Sequence, residues 1–123
     1  MDISALITDF AQDTRLVTDN NGVKYYAVPF FHLGFDEGIT LTVREDGNML
    51  YFTDYGTTYD YLEDNDVDLN SYADKIKAVV DKFDITQDGR KFGIAIDNYS
   101  SFNTRYRLCQ FLEALCVLAH IDL

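Results

Sequence analysis

Residues 38 to 53 read GITLTVREDGNMLYFT, and this run constrains the fold more than any other in the chain. Apolar and polar residues alternate from Gly38 to Arg44, Asp46-Gly47-Asn48 supplies a turn, and Met49 to Thr53 returns. A period of two is the signature of a strand with one face buried and one in water. Ile39, Leu41 and Val43 therefore point to a core, with the threonines and Arg44 turned outward. A hairpin cannot bury that face alone, so another layer has to cover it.

The rest of the chain supplies that layer. Ile3, Leu6, Ile7 and Phe10 form an i, i+3, i+4, i+7 stripe that predicts a short amphipathic helix capped by Asp2. Thr14 to Thr18 reads as extended, Asn20-Asn21-Gly22 as a tight turn and Val23 to Phe31 as a strand. The single proline, Pro29, argues that this strand is an edge or carries a bulge. After Gly56 the pattern becomes helical. Thr57 or Thr58 is the expected cap of a helix to about Asp64, and Ser71 that of a second to about Phe83, backed by Tyr72, Ile76, Val79, Val80 and Phe83. Phe83 to Thr86 and Phe92 to Asp97 predict a second hairpin around Asp88-Gly89-Arg90. From Ser101 to about His120 runs an apolar helix carrying Tyr106, Leu108, Phe111, Leu112, Leu115 and Leu118, expected to be buried. The fold class is α+β, one domain over 1–123. Its antiparallel sheet of two hairpins plus an edge strand packs against three to four helices, including a buried C-terminal helix.

With 123 residues and 47% apolar content the chain can bury a core. Its net charge of −11 repels phosphate backbones and anionic membranes, so direct nucleic-acid binding is disfavoured and a basic partner is suited. No run reaches the ~20 apolar residues of a membrane span, and MDISALITDF lacks the basic start of a secretory signal. Cys109 and Cys116 lie seven apart in the apolar helix, about two turns, too far to bond each other. They read as buried free thiols of a cytoplasmic protein.

Three stretches carry a likeness. Val28-Pro29-Phe30-Phe31, Asp36-Glu37-Gly38-Ile39-Thr40-Leu41-Thr42-Val43 and Leu50-Tyr51-Phe52-Thr53-Asp54-Tyr55-Gly56 resemble the small bacterial and phage family catalogued as domain of unknown function eighteen twenty-eight. That family shows an apolar strand with proline, an alternating strand, and a "hydrophobic-Leu-Thr-Asp-Asp-Gly" turn into a helix. Phe52 stands where leucine is usual, and Tyr55 where the second aspartate is usual. The resemblance implies a fold and an association with bacterial or phage genomes. It implies no chemistry.

The acidic stretch YFTDYGTTYDYLEDNDVDL, residues 51 to 69, is the strongest functional signal. Asp64-Asn65-Asp66-Val67-Asp68 starts like a calcium loop, but the sixth position is Leu69 rather than glycine and the twelfth is Lys75 rather than glutamate. No metal site and no cofactor is expected. Catalysis needs a nucleophile with a base or paired groups of separated pKa. His32 near a strand end and His120 at a helix end read as structural, and no nucleophile elbow or phosphate loop occurs, so no catalytic residue is assigned. If Thr57 to Leu69 were one helix, Asp60, Glu63, Asp64 and Asp68 would share an arc with neighbours about 5–6 Å apart. That spacing is comparable with the phosphate repeat of a nucleic-acid strand. A solvated helix face is the bland alternative.

The expected function is a non-enzymatic acidic protein-binding module, encoded by a phage or other mobile element. It would block a basic nucleic-acid-binding surface of a host defence protein such as a nuclease, as an anti-CRISPR-like or antirestriction-like inhibitor mimicking DNA. The expected partner-binding residues are Asp54, Tyr55, Tyr59, Asp60, Glu63, Asp64, Asp66 and Asp68, the tyrosines adding rigid interface contacts. Two other classes stand beside it. One is a small-ligand domain, for a nucleotide signal, with Tyr51, Asp54 and Tyr55 at the pocket mouth. The other is an antitoxin-like partner of a basic toxin. Both monomer and homodimer are compatible with the sequence.

Overall fold

A computed structural model describes residues 15–20, 23–28 and 39–122. The expected N-terminal helix, the interior of the Asn20-Asn21-Gly22 turn, Pro29 and His32 lie outside the described residues. The strands are β1 (Arg15–Asn20), β2 (Val23–Val28), β3 (Ile39–Asp46), β4 (Met49–Thr53), β5 (Thr86–Asp88) and β6 (Lys91–Asp97). They form one antiparallel sheet in the order β1-β2-β3-β4-β6-β5. The sheet is thus larger than two hairpins and an edge strand. The N-terminal extended segment also pairs, so β2 is an inner strand and β1 takes the edge.

Both predicted hairpins close through two-residue turns, with Asp46 opposite Met49 and Asp88 opposite Lys91. Gly47 and Gly89 stand at the first turn position with φ of 59° and 60°, a conformation glycine adopts without a Cβ clash. The second hairpin begins at Thr86, not Phe83, because residues 83 to 85 terminate the preceding helix.

Three helices follow the strands: α1 (Thr57–Asp64), α2 (Ala73–Lys82), preceded by a 3-10 turn (Leu69–Tyr72), and α3 (Ser101–Ala119). One face of the sheet contributes Leu41, Val43, Leu50, Phe52, Phe92, Ile94 and Ile96 to the core. The helices cover it with Leu62, Ile76, Val79, Leu108, Phe111, Leu112, Leu115 and Leu118. Fully burying such a side chain is worth about 1.5–3 kcal/mol by transfer, so this double layer is the principal stabilising element. α3 buries one face only. Phe102 is 82% exposed and Tyr106 59% exposed, so Tyr106 is not a core residue. Cys109 is exposed and Cys116 half-buried, which corrects the reading of both as buried.

Capping explains where the helices begin. Ser100, not Ser101, caps α3: its hydroxyl accepts from Asn103 N–H at 3.2 Å while Asn103 Oδ1 accepts from Ser100 N–H at 2.6 Å. Ser71 does not cap α2. Asp68 starts the 3-10 turn instead, accepting from Asn70 N–H at 3.2 Å and from the Ser71 hydroxyl at 2.9 Å. α1 and α2 share a C-terminal device in which an aspartate in the left-handed region turns the chain. Asp66 has φ 60° and Asp84 φ 53°, with the next N–H reaching back to the helix: Val67 to Leu62 O at 3.0 Å, and Ile85 to Val80 O at 3.1 Å. Arg107 of α3 then donates to Asp84 O at 2.7 Å, closing the end of α2.

Candidate functional site

The chain passes from β4 into α1 within three residues, Asp54-Tyr55-Gly56. Tyr55 and Gly56 both take positive φ, 56° and 78°. This reversal would strand several N–H groups at the helix start, and Asp54 collects them. Its Oδ1 accepts from Gly56 N–H and from Phe92 N–H, each at 3.0 Å, and its Oδ2 accepts from Thr58 N–H at 3.2 Å. Neither Thr57 nor Thr58 caps the helix, because Asp54 already fills that role from two residues upstream of Gly56. The carboxylate is fully buried. Burial pushes its pKa up, while the Thr58 hydroxyl and the N–H groups of Phe92, Gly56 and Thr58 pull against that rise. The Thr58 hydroxyl stays short of full hydrogen-bond geometry.

Asp54 therefore leaves the partner-binding set, and equally the mouth of a pocket: a buried carboxylate fully engaged with the backbone meets no partner. Tyr55 stays on the surface, 51% exposed, with the Lys91 ammonium 5.5 Å from its ring centroid. Tyr59 is half-buried. Its ring packs on Phe92 with centroids 5.5 Å apart, and its hydroxyl accepts from Gln87 Nε2 at 2.7 Å.

The acidic residues do not lie on one helical arc. α1 stops at Asp64 and reverses at Asp66, so Asp68 belongs to the following turn, where it caps. Asp60 and Glu63 do share a face of α1, and Arg90 from the β5–β6 turn lies between them. Its Nη2 is 3.0 Å from Asp60 Oδ1, its Nη1 bonds Glu63 Oε1, and its guanidinium sits 5.5 Å from the Tyr59 ring centroid. The hydrogen bond from Arg90 holds the Glu63 carboxyl below its ordinary range, and both acids raise the arginine further above its own. Arg90 was missed in the sequence as more than a turn residue. The available signal was that residues 54 to 74 contain no lysine or arginine, so a base had to come from elsewhere in the fold.

Asp64 and Asp66 are exposed and make no ion pair among the described residues. They crowd the C-terminal end of α1, where the helix dipole is negative and no basic residue occupies the last turn. Among the described residues no three carboxylates, imidazoles or thiols converge as metal ligands, and no helix is long and apolar enough to cross a membrane. No protein-family model matches the chain, and neither a curated protein nor a solved structure matches it.

Proposed function

We propose that this protein is a non-enzymatic binding module whose acidic ridge engages a basic protein surface. The supporting observation is the placement of Asp64 and Asp66. Both stand at the negative end of α1 without a counter-ion among the described residues, and Asp66 occupies a left-handed position that glycine fills at lower cost. Acid placed against local preference supports a requirement outside the fold. Asp60 and Glu63 extend the ridge, but one arginine already serves both of them. Tyr55 flanks it.

The basic surface in this reading is the nucleic-acid-binding face of a host defence nuclease, and the protein is a phage or mobile-element inhibitor acting by occupancy. The net charge of −11 and the resemblance of the stretches between Val28 and Gly56 to a phage-associated family support that assignment. The test is inhibition of DNA cleavage by purified restriction and RNA-guided nucleases. Inhibition should weaken as salt rises and vanish in Asp64→Lys/Asp66→Lys, which leaves the Arg90 pairs in place. Inhibition that survives the double reversal, or none against any basic nuclease, overturns the proposal.

A further inference from the structure

The helices cover one face of the sheet, and the other face carries a shallow cavity of about 420 Å³ over β3, β4, β6 and β5. Strand register arranges its residues in rows. Thr42, Thr53 and Gly93 lie opposite one another in one row, and Arg44, Tyr51 and Ala95 in the next. Ala95 is exposed and gives a floor with little side chain, whereas Gly93 is buried, with the Thr53 and Thr86 side chains close over it. Tyr51 and Tyr55 are large residues lining the same cavity, and Lys91 and Asp88 also line it.

The charge here runs against the rest of the molecule. In a chain with twenty-one acids and ten bases, Arg44 and Lys91 form no ion pair among the described residues. Each is held over an aromatic face instead, Arg44 at 4.3 Å from the Tyr51 centroid and Lys91 at 5.5 Å from that of Tyr55. A cation on a ring is oriented but keeps donors for an anion. Tyr55 also holds its backbone in the left-handed region, φ 56°, a conformation that costs about 1–2 kcal/mol and that clusters at ligand sites.

We propose that this cavity binds a small molecule carrying a planar ring and an anionic group, a nucleoside phosphate. The ring lies over Ala95 between the tyrosines, and Arg44 and Lys91 meet the phosphate. The volume falls in the range of ordinary ligand sites. Tyr55 borders both this site and the acidic ridge, but none of Asp60, Glu63, Asp64 or Asp66 lines the cavity, so the site stands or falls independently of the ridge.

The test is calorimetric titration and thermal shift of the whole protein with AMP, GMP, UMP and ATP, beside adenosine and inorganic phosphate. At least one nucleotide should bind and raise the Tm, with adenosine and phosphate each at least tenfold weaker. Arg44→Ala and Lys91→Ala should each weaken binding tenfold or more. Tyr55→Gly should weaken it while keeping or raising the Tm of the free protein, which separates a lost contact from a lost fold. Asp64→Lys/Asp66→Lys should leave it unchanged. Absence of binding at millimolar nucleotide, or affinity indifferent to Arg44 and Lys91, overturns the inference. So does an oligonucleotide binding a hundredfold tighter than any mononucleotide, which would make the face a single-strand platform.

Discussion

The Asp54 carboxylate accepts a hydrogen bond from the Phe92 N–H at 3.0 Å, and the Asp54 N–H donates to the Phe92 carbonyl at 2.9 Å. Two residues distant in sequence are thus joined by backbone and side chain at once. The same carboxylate holds the start of α1, so one buried aspartate fixes the angle between a helix and the sheet.

Removing that carboxylate should be costly. Asp54→Ala leaves three buried N–H groups without a partner, each worth about 1–3 kcal/mol when unsatisfied. Even with water entering, a loss of about 3 kcal/mol or more is expected, read as a lower urea midpoint at unchanged m-value.

The same residue sets a pH dependence. Burial raises the Asp54 pKa above its ordinary 3.8, so the folded state holds the proton more tightly than the unfolded chain. Its contribution is therefore fully present below about pH 3.8 and is lost as pH rises through the folded value. Asp54→Asn cannot titrate. The Tm of the native protein minus that of Asp54→Asn should fall with rising pH across this window, and a flat difference would contradict the burial argument.

Glu63 behaves in the opposite sense. The hydrogen bond from Arg90 lowers its pKa from 4.5, so the pair stabilises the protein above that pH and is lost as pH falls through the folded value. Both partners are exposed, so Arg90→Ala should reduce the Tm slightly at low salt and hardly at all at 1 M, where the screening length is about 3 Å. A salt-independent effect would point to the packing of Arg90 on Tyr59.

Asp66→Gly should stabilise the fold. Glycine has no Cβ to clash at φ 60°, and the substitution removes a negative charge from the negative end of α1. A gain of about 1 kcal/mol is expected by chemical denaturation. Gly93→Ala should do the reverse, since its Cβ would stand 2.7 Å from the Phe52 carbonyl oxygen in the middle of the sheet. Strand separation to relieve that contact should cost about 1–3 kcal/mol.

The two thiols should react at different rates. Cys109 is exposed, whereas burial, reinforced by Glu113, pushes Cys116 up to about 11. Titration with a disulfide reagent at pH 8 should show one fast and one slow phase, with Cys109→Ser removing the fast one.

The α+β class, the β3–β4 hairpin and all three described helices were legible because periodicity reports which side of an element is buried. The helix caps were not. Thr57, Thr58 and Ser71 are good caps by residue type, but the turns start further upstream, where Asp54 takes the Gly56 and Thr58 N–H groups and Asp68 that of Asn70. Such competition is decided by backbone path rather than composition. The acidic arc failed for a related reason: the break at Asp66 depends on a left-handed aspartate, which no periodic pattern announces. Arg90 and Lys91 reach their tyrosines only because the β5–β6 turn is brought against α1, a long-range contact invisible in local sequence.

The strand order has a consequence for synthesis. β6 pairs on one side with β4 and on the other with β5, yet residues 54 to 90 must be made between β4 and β6. During translation the β1–β4 meander can form early from neighbouring contacts, but β4 then presents a bare edge with Leu50 and Phe52 uncovered until β6 and α3 leave the ribosome. A nascent chain paused near Asp88 is the form of this protein most exposed to strand capture by a neighbour, and the one a chaperone would have most reason to hold.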